Sequence, residues 1–135
     1  MGLTVVDAGI IIGVLDAADP HHAAAVRTLS MVVGDGDALA VPASAYAEAL
    51  VAPARRGAAA RRAVDEFLAD LAAEVEPITR QAAARAAELR AAHGKRLKLP
   101  DALVVAIAMH LGADRILTTD RRWPDLPLEI VVARE

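Results

Sequence analysis

Cysteine is absent from the 135 residues. Disulfides, thiolate nucleophiles and cysteine-bound metals are therefore excluded. Aromatic side chains are nearly absent too, with one Phe, one Tyr and one Trp making up 2% of the chain. A protein that stacks single-stranded bases on aromatic rings needs several, so no stacking platform is expected, and the core has to be built from Leu, Val, Ile and Ala. No apolar run approaches the roughly 20 residues of a membrane helix, and no stretch reads as a signal peptide. The expectation is a soluble, cytoplasmic protein that makes no membrane contact. Positive charge is not in excess either. The 15 Lys and Arg stand against 18 Asp and Glu, for a net charge of −3. That argues against a nucleic-acid binder using its whole surface, while leaving room for a local basic patch beside an acidic pocket.

What is present is a 56% hydrophobic chain rich in Ala, of a length that suits one domain spanning 1–135. Leu3–Val6 reads as a buried strand ending at Asp7. Ile10–Leu15 fits a helix or a second strand equally well by pattern. Asp19 as N-cap and Pro20 at N1 open a helix that runs to Gly34. Ala38–Val41 is the next strand, and Pro42 and Ser44 open a helix carrying Tyr46 and Glu48 until Arg55-Arg56-Gly57 breaks it. Val64, Phe67, Leu68 and Leu71 then recur at helical spacing. Glu74–Pro77 reads as a short strand. Thr79 caps a helix from Arg80 to His93, with Ile78 placed to staple it and Gly94 to end it. A further helix starts at Pro100 and ends at Gly112, and strands follow at Arg115–Thr118 and Leu128–Val132. Strands alternating with helices predict an α/β fold, helices flanking a mostly parallel central sheet. Functional crevices in such sheets open at the carboxyl ends of the strands.

Asp7 lies at one such end and Asp120 just past another. Glu48 sits one turn from Ala45 and Val51, toward or beside the packed face of its helix, with no Lys or Arg within a turn. Asp101 stands in the first turn of the Pro100 helix, where only Lys98 is close enough to reach it. Each has an ordinary structural explanation as a cap, a turn residue or an ion-pair partner, and Asp101 alone would simply offset the helix dipole. Converging, the four select a hard, oxygen-loving cation, Mg²⁺ or Mn²⁺ rather than Zn²⁺. Phosphodiester hydrolysis is the reaction that such chemistry suits best.

Val5-Val6-Asp7-Ala8, the Glu48 helix, Leu99-Pro100-Asp101-Ala102-Leu103 and Leu117-Thr118-Thr119-Asp120 together resemble the PIN-domain ribonucleases, and the length and helix-rich layout are most similar to the VapC-type toxins. The resemblance implies a three-layer fold and makes Ile10–Leu15 a helix. It implies metal-dependent cleavage of RNA, a homodimer, and inhibition by a cognate VapB-type antitoxin whose tail blocks the acidic pocket. Carried over, Asp7, Glu48 and Asp101 would be the core metal ligands, and Asp120 a fourth acid acting directly or through water. Gly9 is a departure, since the family commonly has Ser, Thr or Asn two positions after the first Asp. Thr118 or Thr119 can supply a hydroxyl near Asp120 instead. A silent PIN-like binding module is the competing reading.

Lys95, Arg96 and Lys98 precede Asp101 closely enough to guide RNA phosphates, and Arg121 follows Asp120. Arg55, Arg56, Arg61 and Arg62 suit a second basic rim or plain surface charge equally. Asp16 is a candidate outer acid. The adjacent His21 and His22 cannot face one metal together, and a solvated first turn is the expectation for both.

Overall fold

The structure, a computed structural model, describes residues 2–134. Strand β1 (Leu3–Val6) leads through helices α1 (Ala8–Leu15) and α2 (His22–Gly34) to β2 (Ala38–Pro42). Helices α3 (Ala43–Arg56) and α4 (Ala58–Asp70) connect to β3 (Glu74–Glu76). Helix α5 (Arg80–His93), a single 3-10 turn at Gly94–Arg96 and helix α6 (Leu99–His110) lead to β4 (Arg115–Thr118), and an irregular segment reaches β5 (Glu129–Val132). All four strand pairings are parallel, in the order β3-β2-β1-β4-β5.

The chain first moves outward from β1 to β3, then crosses back to place β4 on the other side of β1. Right-handed crossovers in opposite directions put α1–α4 and α5–α6 on opposite faces of the sheet. The point where the order reverses lies between β1 and β4, and a crevice opens there at the strands' carboxyl ends. Their amino ends are closed by carboxylates. Asp37 Oδ1 accepts from Gly2 N and its Oδ2 from Thr4 Oγ1 at 2.7 Å, while Asp114 Oδ2 accepts from Leu3 N.

β-branched residues fill the strands because they suit a sheet covered on both faces: Val5, Val41 and Ile116 have no exposed surface. Around them the core is largely small, with Ala24, Ala25, Ala86, Ala102 and Ala108 all fully buried. Small side chains bring helix backbones close, and a Cβ built on Gly13 of α1 would lie 3.0 Å from Ala25 Cβ of α2.

Several boundaries follow the expected local signals. Thr79 Oγ1 accepts from Ala82 N at 3.0 Å as a cap, although Ile78 remains 42% exposed. Ile10–Leu15 lies in helix α1. Asp19 does accept from His21 N at 2.8 Å, but Asp19–His21 forms a turn and the continuous helix begins at His22. Lys98 is the N-cap of α6, which places Pro100 one residue further inside than expected. Among the described residues, no helix is long and apolar enough to cross a membrane.

Candidate active site

Asp7 terminates β1 and caps α1, so both neighbouring elements hold its side chain. Oδ1 accepts from Ala8 N at 2.8 Å, and Oδ2 accepts from Thr118 Oγ1 at 2.8 Å. The same hydroxyl accepts from Asp120 N at 3.1 Å. Thr118 has no exposed surface, so it stands behind Asp7 and fixes its orientation rather than meeting substrate. One buried threonine thus ties the carboxyl ends of β1 and β4 together across the switch point.

Asp101 reaches the same crevice from the first turn of α6, and Glu48 from the middle of α3. Burial pushes the Asp101 carboxyl up to about 6, and the charges of Asp7, Asp120 and Glu48 all act on it, each in the same direction. Asp7 is also raised, chiefly by burial, with Asp120 adding to it and the hydrogen bonds from Thr118 and Ala8 opposing. Glu48 is raised by partial burial and then by Asp7. The residue as a whole is exposed, so Glu48 forms the rim of the crevice rather than lying against the packed face. Among the described residues, no cation pairs with Asp7, Glu48 or Asp101, and the expected reach of Lys98 to Asp101 is not made as an ion pair. Asp120 alone has one: Oδ1 accepts from Arg122 N at 2.9 Å and from Arg122 Nε at 3.3 Å.

Half-buried carboxylates that repel one another and lack a cation are costly. A divalent ion removes that cost, and an all-carboxylate set suits Mg²⁺ or Mn²⁺. The donor chemistry therefore fits. Among the described residues, no three acids or histidines are grouped closely enough to hold a metal ion as they stand, so the fit is one of donor chemistry and not of a preformed geometry.

Gly9 follows from the packing. A Cβ added there would collide with Thr119 Oγ1, so the hydroxyl of β4's exit loop occupies the space a side chain at position 9 would fill. Thr119 therefore stands against the first turn of α1, close to Asp7. Asp16 lies at the far end of α1, where its Oδ1 accepts from Ala18 N, and it is not among the charges that perturb the other acids.

Lys95, Arg96, Lys98 and Arg122 line a cavity of about 270 Å³ together with Asp101 and Asp120. A second cavity, of about 490 Å³, is lined by His21, Thr119, Asp120, Arg121 and Arg122. Sequence reasoning missed His21 because nothing local links α2's start to β4's exit. It also treated His22 as solvated, whereas its Nδ1 bonds Gly13 O at 2.7 Å. Arg55, Arg61 and Arg62 line neither of these two cavities, nor does Arg56, which lines an apolar groove beside Glu48. Trp123 packs against the core with its Nε1–H sealed from solvent and lacking a hydrogen bond of good geometry. The indole lowers the Asp101 carboxyl, against the larger opposing effects.

Solved structures share this arrangement of elements. A toxin–antitoxin complex from Klebsiella pneumoniae is 20% identical, with 98% of each chain covered and a TM-score of 0.74. FitAcB from Neisseria gonorrhoeae is 20% identical over 95% of this chain and 96% of that one, at 0.71. VapC20 from Mycobacterium tuberculosis, described as a toxin cleaving the sarcin-ricin loop, is 21% identical over 84% and 86%, at 0.67. At these identities the likeness is one of fold. No curated protein matches the chain. The PIN domain family model matches residues 4–128, nearly the whole chain, and the chain belongs to the PIN domain family.

Proposed function

We propose that this protein is a metal-dependent endoribonuclease toxin of the VapC type, acting in the cytoplasm as a homodimer and held inactive by a cognate VapB-type antitoxin. The observation that carries the reading is the crevice itself: Asp7, Glu48 and Asp101, carboxylates from separate elements, are all raised and, among the described residues, have no paired cation, beside a cavity lined by Lys95, Arg96, Lys98 and Asp120. Acids that only stabilised the fold would be paired.

Asp7, Glu48 and Asp101 would hold the ion, with Asp120 beside them, directly or through water. Bound Mg²⁺ supplies an activated water and neutralises charge on the scissile phosphate. Thr118 keeps Asp7 in the orientation that ligation needs, as hydrogen-bonded supports of metal ligands do. Lys95, Arg96 and Lys98 draw the RNA phosphates toward the acids, which would otherwise repel them. Thr119 lines the second cavity beside Asp120, where substrate would pass it. No covalent intermediate is expected, since there is no cysteine and Ser44 Oγ is buried without a partner.

An apolar groove of about 200 Å³ runs from Glu48 past Ile12, Leu15, Ala52 and Val64, a surface suited to the antitoxin tail. That the Klebsiella neighbour is a toxin–antitoxin complex supports the pairing.

The test is cleavage of a structured-RNA pool by the full chain with Mg²⁺ or Mn²⁺, beside Asp101→Asn purified identically. Cleavage that disappears in the variant and on chelation is expected. Equal cleavage by both would trace the activity to a contaminant. Silence from a folded parent that also fails to bind Mn²⁺ would leave a PIN-like binding module instead.

A further inference from the structure

The two cavities beside the acids share Asp120 and Arg122. They therefore flank the Asp120–Arg122 pair, which borders both. One carries Lys95, Arg96 and Lys98, and the other carries His21 and Arg121. The second is built on a fixed corner. His21 N donates to Asp19 Oδ1 at 2.8 Å, its carbonyl accepts from Ala25 N at 2.8 Å, and the neighbouring His22 ring bonds Gly13 O. The backbone of His21 is thus held at both ends while, among the described residues, its imidazole makes no hydrogen bond, and Arg121 makes no ion pair. Free donors on a rigid corner, facing the same space as Asp120, suit an anion that arrives with the substrate.

Resting on the nuclease reading, we propose that His21 and Arg121 form a second phosphate-binding arm, so that the RNA strand enters over Lys95–Lys98, crosses the acids and leaves along α2's start. The scissile phosphate is then gripped from both sides. Cations on one side only would let the strand swing away from the acids, whereas contacts on both sides hold one phosphate in register at the ion. Arg122 is placed to serve both arms.

The experiment measures binding of end-labelled single-stranded RNAs of increasing length to the full chain carrying Asp101→Asn, which blocks cleavage, with Mg²⁺ present. In that background His21→Ala with Arg121→Ala is compared with Lys95→Ala with Lys98→Ala. The expected result is that affinity grows with length, and that the His21/Arg121 pair abolishes the growth while leaving the shortest RNA bound as before. The salt slope on the long RNA should fall by about 1 for each phosphate contact removed. Long-RNA binding unchanged by the His21/Arg121 pair but weakened by the lysine pair would overturn this arm and leave the nuclease reading standing. No RNA binding by the parent at any length would overturn both.

Discussion

At position 9 a single missing Cβ decides how β4's exit loop meets α1. The Thr119 hydroxyl fills the space beside Gly9, so adding a methyl there forces the Thr119 side chain to shift. Overpacking a site that cannot give costs about 1–3 kcal/mol. Gly9→Ala is therefore expected to lower stability in urea titrations, Thr119→Ala to be nearly neutral, and the double variant to recover most of the loss. That recovery is the coupling a double-mutant cycle reads; additive losses would show that the two positions do not share space. The acids were readable from residue type and position, but this contact was not. Nothing in a local window announces that position 9 meets position 119, just as the Asp7–Thr118 hydrogen bond joins residues 111 apart. Glu48 was legible as an unpaired acid while its exposure was not, because one helical turn of neighbours does not say how far α3 leans out over the crevice.

The elements themselves were largely legible, because their punctuation is local. Thr79 caps α5, and Gly94 and Gly57 end helices, each on a signal that operates within four residues. Where boundaries moved, tertiary packing had acted. The Asp19–His21 turn is drawn out of the helix while His22 bonds the end of α1. Gly57 shows what such punctuation contributes. With φ 112° and ψ −178° it joins α3 to α4 in a conformation essentially confined to glycine, costing other residues on the order of 1–3 kcal/mol. A Cβ there would meet no atom within 4 Å, so Gly57→Ala tests backbone conformation without a clash. The expected outcome is a loss within that range by denaturant unfolding with an unchanged m-value. No loss would mean the α3–α4 joint readily adopts another geometry.

Across the whole molecule, the sheet's two ends place opposite demands on carboxylates. At the amino ends Asp37 is held below its ordinary value by the Thr4 hydroxyl, with Arg115 and the Gly2 N–H assisting. That contribution is present at neutral pH and is lost as pH falls through the lowered value. At the carboxyl ends Asp101 is raised to about 6 from 3.8, and Asp7 and Glu48 are raised as well. A raised carboxyl binds its proton more tightly in the folded chain than in the unfolded one. The stability that this gives is complete below about 3.8, and it is lost as pH rises toward 6. The metal-free protein should therefore melt higher at pH 5 than at pH 7.5, by about 3–5 °C if the net effect is roughly 1 kcal/mol in a chain of this size. Asp101→Asn should be more stable than the parent at pH 7.5 and show a flatter profile. Saturating Mn²⁺ should reverse the trend, because the ion binds the ionised carboxylates and stabilises in proportion to its affinity, which grows with pH. Melting curves across pH, with chelator and with Mn²⁺, measure all three. A metal-free protein that melts lower at pH 5 than at 7.5, in parallel with Asp101→Asn, would mean that the four acids do not repel one another in the folded chain. The same mutual repulsion that raises these carboxyls is what would give a divalent ion its hold.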